Sequence, residues 1–127
     1  MQLVRKNVLI VDPSPIFRRQ LKETIQTNET LVDVIEAETI NAAEGILRNQ
    51  PIDVVFLEIG FPQDGGLDLI DTIKGVAADI CIVVLTSHDS ATHRAAALKR
   101  GAAYFLAKAD AVGLRLVDII HETIRQS

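Results

Sequence analysis

Five short aliphatic runs recur along this chain at nearly even intervals, over residues 8–11, 31–35, 54–57, 80–85 and 104–106, their starts 23, 23, 26 and 24 residues apart. Between them the apolar residues change period. Phe17, Leu21 and Ile25 share one helical face, as do Ile40, Ala43 and Leu47, and then Leu67, Ile70 and Ile73. The alanine-rich segment 91–100 stops at Gly101, a natural helix C-cap, and residues 111–125 read as a fifth helix through Val112, Leu116, Ile119, Ile120 and Ile124. Ser14 before Pro15, Thr39, Asp89 or Ser90, and Asp110 offer N-caps, and Gly65-Gly66 makes the turn into the third helix. Continuous apolar strands alternating with helices imply a parallel sheet buried on both faces. Right-handed crossovers then give a doubly wound (βα)5 α/β domain, a flavodoxin-like three-layer sandwich.

The bulk composition narrows the options. A chain of 127 residues fits one domain, read here as residues 1–127, and 48% hydrophobic with 24% charged residues suits a globular core. The net charge of −4 gives no general pull toward nucleic acid or anionic membrane. No apolar run approaches membrane-spanning length, and the first one is broken at Asp12 and Pro13, too early for a signal peptide. The lone Cys81, inside a strand, reads as an inert core thiol and allows no internal disulfide. These features point to the cytoplasm.

Open α/β sheets bind ligands outside the carboxyl ends of their strands. There the chain places Asp12, Glu58, Thr86 with Ser87, and Lys108, from strands one, three, four and five, while strand two ends in Glu36-Ala37-Glu38. Carboxylates suit a hard cation, and a lysine with a hydroxyl suits phosphoryl oxygens. Each residue also has a plainer reading: Asp12 as a helix cap or a salt-bridge partner of Lys108, Glu58 as a solvated strand end, Thr86 as a β-former, Lys108 as a solvated charge. Their arrival on one rim favours a site. His88 and His93 lack helical metal-ligand spacing, and His121 reads as solvated. The first strand-to-helix turn, Asp12-Pro13-Ser14-Pro15, has no glycine to cradle a pyrophosphate, and no Gly-x-Ser-x-Gly elbow occurs.

In order and spacing, several segments resemble the receiver domain of two-component response regulators, across roughly residues 7–125. They are Val8-Leu9-Ile10-Val11-Asp12, Asp53-Val54-Val55-Phe56-Leu57-Glu58 with Pro62 four residues on, Gly66-Leu67, Val83-Val84-Leu85-Thr86-Ser87, and Gly101-Ala102-Ala103-Tyr104-Phe105-Leu106-Ala107-Lys108. The resemblance implies strand order 2-1-3-4-5 and a phosphorelay role without enzymatic turnover. It implies a phosphoryl-accepting aspartate at the position of Glu58, two metal-binding acids after strand one, phosphate contacts from Thr86 and Lys108, and a switch aromatic at Phe105. It also implies partners: a histidine kinase or downstream effector, and a homodimer through helix four, strand five and helix five, where Arg94, Lys99, Arg100, Asp118, Glu122 and Arg125 mix charge signs.

The chain departs from that pattern at Glu58, at Pro13 in place of the second acid, and at Ala109 in place of the usual proline. Glutamate moves its carboxylate by about 1.5 Å, one C–C bond, and misplacement near 1 Å can slow an in-line transfer roughly 10²-fold. Asp12 and Glu58 alone leave at most a weakened Mg²⁺ site. The expectation is an atypical receiver in which Glu58 lies close to Lys108 and partly mimics the charged state, a carboxylate carrying one charge against about two for phosphate. A rigid docking module is the first alternative. A phosphatase using Asp12 is the second, and is disfavoured because its second acid would fall on Ser14.

Overall fold

A computed structural model describes residues 4–110 and 114–126. Strands β1 (Lys6–Val11), β2 (Val32–Ala37), β3 (Val54–Leu57), β4 (Cys81–Thr86) and β5 (Tyr104–Ala107) form one parallel sheet in the order β2-β1-β3-β4-β5. They alternate with helices α1 (Pro15–Asn28), α2 (Ile40–Asn49), α3 (Gly65–Val76), α4 (Ala91–Arg100) and α5 (Leu114–Gln126). This is the doubly wound α/β architecture read from the repeat. Among the described residues, no helix is long and apolar enough to cross a membrane.

The strands are buried on both faces, so successive side chains feed two separate cores. Val8, Ile10, Val54, Phe56, Val83 and Leu85 pack with Leu21 and Ile25 of α1 and Leu116, Ile119, Ile120 and Ile124 of α5. Leu9, Val11, Val55, Leu57 and Val84 pack with Ala43 and Leu47 of α2, Ile70 and Ile73 of α3 and Ala97 of α4. A one-residue slip in any central strand would exchange these two sets, which fixes the register.

Local signals set the helix ends. Ser14, Thr39 and Ser90 accept hydrogen bonds from the amides of Phe17, Ala42 and His93, capping α1, α2 and α4. Ser90 rather than Asp89 therefore caps α4. Gly101 closes α4 at φ 117°, a conformation that side-chain-bearing residues rarely adopt. Gly66 lies in the first turn of α3, where a Cβ would stand 2.4 Å from the Ile59 Cα; only glycine lets α3 start so close behind β3. The expected beginning of the fifth helix at Ala111, with Val112, lies outside the described residues.

Four strands differ from their expected limits: β4 is shifted by one residue, to Cys81–Thr86, β5 runs one residue further, to Ala107, and β1 and β2 differ more. β1 begins two residues earlier, at Lys6, because backbone pairing to Val32 and Asp33 continues through polar residues. β2 runs from Val32 to Ala37 rather than over 31–35. It is an edge strand, so Asp33 and Glu36 can face solvent and interrupt the apolar run without ending the ladder. Cys81 is half-buried at the start of β4 rather than fully enclosed, and burial raises its thiol pKa.

Candidate functional site

Register brings the polar rim together. Val11 pairs with Leu57, so Asp12 and Glu58 leave adjacent strands side by side, the Glu58 amide donating to the Val11 carbonyl at 2.9 Å. Thr86 pairs with Ala107, which puts Lys108 at the next step along the same rim. All four sequence-derived residues converge here. Asp12, Glu58 and Thr86 are buried, at 1%, 4% and 0% exposure. Lys108 remains partly exposed, with 22% of its side chain accessible.

Glu58 is held from several directions. Its Oε2 accepts from the Thr86 hydroxyl and, at 2.9 Å, from the Gly60 amide. Its Oε1 accepts from the Ser87 amide at 3.1 Å and the Ser87 hydroxyl at 3.2 Å, with the Lys108 ammonium also 3.2 Å away. Burial pushes the carboxyl pKa up, but the bonds from Thr86, Gly60 and Ser87 and the charge of Lys108 outweigh it, so the net shift is downward and the carboxylate form prevails. Glu58 is thus no solvated strand end. Thr86 is more than a β-former: its oxygen also accepts the His88 amide at 2.9 Å.

Of the two plain roles considered for it, Asp12 takes the ion pair with Lys108, while the cap of α1 falls to Ser14. The Asp12 Oδ1 accepts the Ser14 amide at 2.8 Å, closing the turn into α1, and its Oδ2 lies 2.7 Å from Lys108 Nζ. Oδ2 is fully buried and takes no well-directed hydrogen bond, so among the described residues the ammonium is its close partner of opposite charge. Lys108 is therefore not a solvated charge. Its Nζ also stands 4.3 Å from the centroid of the Phe17 ring, within cation–π range.

A magnesium ion of the kind the receiver resemblance implies does not fit these residues. Pro13 offers no side-chain oxygen. The nearby acids are already engaged by an ammonium and by N–H and O–H donors. Among the described residues, no group of three or more His, Cys, Asp or Glu side chains could hold a metal.

Gly60 and Phe17 join the rim residues that the strand endings indicate, and Ser87, which those endings place beside Thr86, takes a direct part in holding Glu58. Two of the donors to Glu58 are backbone amides, of Gly60 and Ser87, which leave no mark in residue type. Phe17 was read only as a core-facing residue. His88 packs its ring over Gly60, where a Cβ would meet it at 2.3 Å, and His93 bonds to the Ser90 hydroxyl at 2.6 Å. His121 is not simply solvated, since its Nδ1 lies 2.8 Å from Glu29, shared with Arg125 at 2.9 Å.

The α4–β5–α5 face is less open than its charge pattern implies. Arg94 donates to the Phe105 carbonyl at 3.1 Å and its guanidinium lies 5.9 Å from that ring's centroid; Phe105 itself is buried. Arg100 pairs with Asp71 at 2.7 Å. Glu122 bonds Tyr104, whose pKa is pushed up to about 12.

A model of the family described as response regulator receiver domain matches residues 8–120. The sensory transduction protein LytR of Streptococcus mutans is 35% identical over 85 residues, covering 65% of this chain and 35% of that protein. The chain spans about half or less of the length of the curated relatives it matches. A CheY-like receiver domain protein from Methanospirillum hungatei superposes with a TM-score of 0.84 at 20% identity, covering 96% of this chain and 95% of that one. A response regulator protein from Burkholderia pseudomallei, solved with a phosphorylated aspartic acid, calcium ion and citrate, gives 0.79 at 24% identity, covering 94% and 66%. At these identities the two structures establish likeness of fold.

Proposed function

The chain belongs to the response regulator receiver domain family, and from that premise we propose that it is an atypical receiver in two-component signalling, one that does not take a phosphoryl group in the ordinary way. One observation carries this reading: both oxygens of Glu58, the residue at the acceptor position, are already occupied by hydrogen-bond donors and an ammonium. A phosphoryl acceptor needs a free oxygen in line with the incoming phosphorus. Here that oxygen would first have to abandon its partners.

In this reading Thr86 and Lys108, the phosphate-contacting positions, hold the Glu58 carboxylate instead. The carboxylate stands in for part of a phosphoryl charge, so the domain rests in a partly activated arrangement. It acts by protein–protein contact with a histidine kinase or a downstream effector, or by pairing with a second copy through α4, β5 and α5, with Phe105 as the switch aromatic. It is a signalling module rather than an enzyme, it works in the cytoplasm as a single receiver-like domain over residues 1–127, and it needs neither nucleic acid nor membrane.

The decisive experiment is incubation with acetyl phosphate and Mg²⁺, followed by intact mass. The expected result is an unmodified chain. A stoichiometric phosphoryl adduct would overturn the reading. The clamp of Arg94 on Phe105 favours a second reading, a rigid docking module in which nothing switches. Amide NMR shifts of Glu58→Gln separate the two. Changes reaching α4 and β5 support the partly activated receiver; changes confined to the contacts of Glu58 support the rigid module.

A further inference from the structure

We infer that Lys108 is the resident cation of this site, lodged where a receiver's divalent ion would neutralise the acids and held there by Asp12, Glu58 and the Phe17 ring. The inference rests on the receiver reading above and adds to it a metal-independent charge balance with a named residue, Phe17, that maintains it.

The oxygen inventory supports this. Asp12 Oδ1 serves Ser14, Glu58 Oε2 serves Thr86 and Gly60, and Glu58 Oε1 serves Ser87. What remains for a cation is Asp12 Oδ2 and one side of Oε1, and the ammonium reaches both, at 2.7 and 3.2 Å. A magnesium ion demands near-octahedral oxygen coordination and keeps several of its waters. The small void between Asp12, Glu58 and Phe17, otherwise lined by apolar residues such as Leu21 and Leu85, admits no water-sized sphere. With the ammonium on both remaining oxygens, no pair of carboxylate oxygens is left open to a divalent ion while the lysine is in place.

Phe17 holds the third side. It is the third residue of α1, and its amide is fixed by the hydroxyl of the capping Ser14 at 3.2 Å. The cap sets the first turn of the helix, and that turn presents the ring to Nζ at 4.3 Å. An aromatic face attracts a monovalent ammonium while offering no oxygen for a metal. The same α1 start, Asp12-Pro13-Ser14-Pro15, thus removes one metal oxygen at Pro13 and supplies a ring for the lysine three residues after the cap.

The test is thermal unfolding of the whole chain titrated with Mg²⁺ alone, paired with Mn²⁺ binding read as loss of the free-ion paramagnetic resonance signal. Wild type should show no bound Mn²⁺ and a shift under about 1 °C at about 10 mM Mg²⁺, whereas Lys108→Met, left with two buried acids, should gain roughly 4 °C under the same conditions. Phe17→Leu, which keeps an apolar side chain and loosens the ammonium, should show measurable loss of the free Mn²⁺ signal under conditions where wild type shows none. Saturable millimolar or tighter binding by wild type would overturn the inference, as would a folded Lys108→Met indifferent to Mg²⁺. Should Lys108→Met not fold with or without metal, the wild-type and Phe17→Leu titrations decide. A phosphoryl adduct on a wild type that binds no Mn²⁺ would sink the functional reading and leave this inference standing; Mn²⁺ binding without an adduct would do the reverse.

Discussion

Replacing Glu58 by glutamine preserves shape and tests whether the donors around the carboxylate matter. The amide has one acceptor oxygen and one NH₂ group. With its nitrogen at the Oε1 position, it would face the Ser87 amide and the Lys108 ammonium, two donors that cannot reverse. With its nitrogen at Oε2, it would face the Gly60 amide, which cannot reverse either, and the Thr86 hydroxyl, which can turn and accept. The second orientation is the milder one, yet it still leaves a Gly60 donor unmatched and weakens the hold on Lys108. An unsatisfied buried donor costs about 1–3 kcal/mol, and the partial loss of a buried ion pair raises the total to roughly 2–4 kcal/mol. Relief of repulsion between Glu58 and Asp12 works in the opposite direction. It is the smaller effect, because Lys108 lies within 3.2 Å of both acids. The variant should therefore melt roughly 10 °C below wild type at pH 7.

The pH dependence carries its own sign. Glu58 has a folded pKa below its ordinary value of 4.5. Its stabilisation is fully present above that value and is lost as pH falls through the depressed folded pKa. The gap between wild type and Glu58→Gln should hold constant from pH 7 to about 5 and narrow below about 4.5. Urea unfolding followed by circular dichroism across that range measures both effects. A variant as stable as wild type at pH 7 would show that acid–acid repulsion, not donor satisfaction, governs the site; a gap unchanged at pH 4 would show that Glu58 does not titrate as this geometry requires.

Thr86→Val keeps the shape and removes the hydroxyl that serves both Glu58 and the His88 amide. It should lower unfolding free energy by about 1–3 kcal/mol in urea, and combined with Glu58→Gln it should cost less than the two losses added, since they share one bond. Gly66→Ala would drive a Cβ to within 2.4 Å of the Ile59 Cα and 2.7 Å of its carbonyl oxygen. A destabilisation of about 1–3 kcal/mol is expected by thermal unfolding, whereas Gly45→Ala, in a helix with nothing within 4 Å of the added carbon, should gain about 0.5–1 kcal/mol.

Much of the architecture could be read because it is written in local patterns. Residues 91–100 end at a glycine and begin after a serine, and α4 has those limits. The central strand β3 is a bare apolar run with the limits expected of it. β2 was misjudged because an edge strand tolerates polar residues that the eye takes as its end. The site was legible as a rim and not as a network. Topology and strand endings locate Asp12, Glu58, Thr86 and Lys108, but what surrounds them comes from backbone amides at 60 and 87 and from a helix turn that lifts Phe17 to the height of the rim. Periodicity assigns Phe17 to a face; it carries no information about how far along the sheet that face lies. Charges on α4 and α5 likewise read as a free surface because their partners, such as Phe105 for Arg94 and Glu29 for Arg125, lie on other elements.

The departures from the receiver pattern make physical sense together. With an acid at position 13, a buried rim holding Asp12 and Glu58 as well would carry three negative charges against one lysine, and would call for a divalent cation. With Pro13 there, one ammonium between two carboxylates leaves a single net negative charge, and the many donors around Glu58 spread it. Reach completes the balance. An aspartate at 58 would hold its carboxylate about 1.5 Å closer to the backbone, and so further from Thr86, Ser87 and Lys108 on the neighbouring strands unless they moved inward. The extra methylene of Glu58 brings the charge to those partners, where a phosphoryl group would otherwise have been held. In the proposed reading, proline at 13 and glutamate at 58 are thus two halves of one change. The first removes the need for a divalent ion, and the second supplies the anion that the remaining lysine and hydroxyl require.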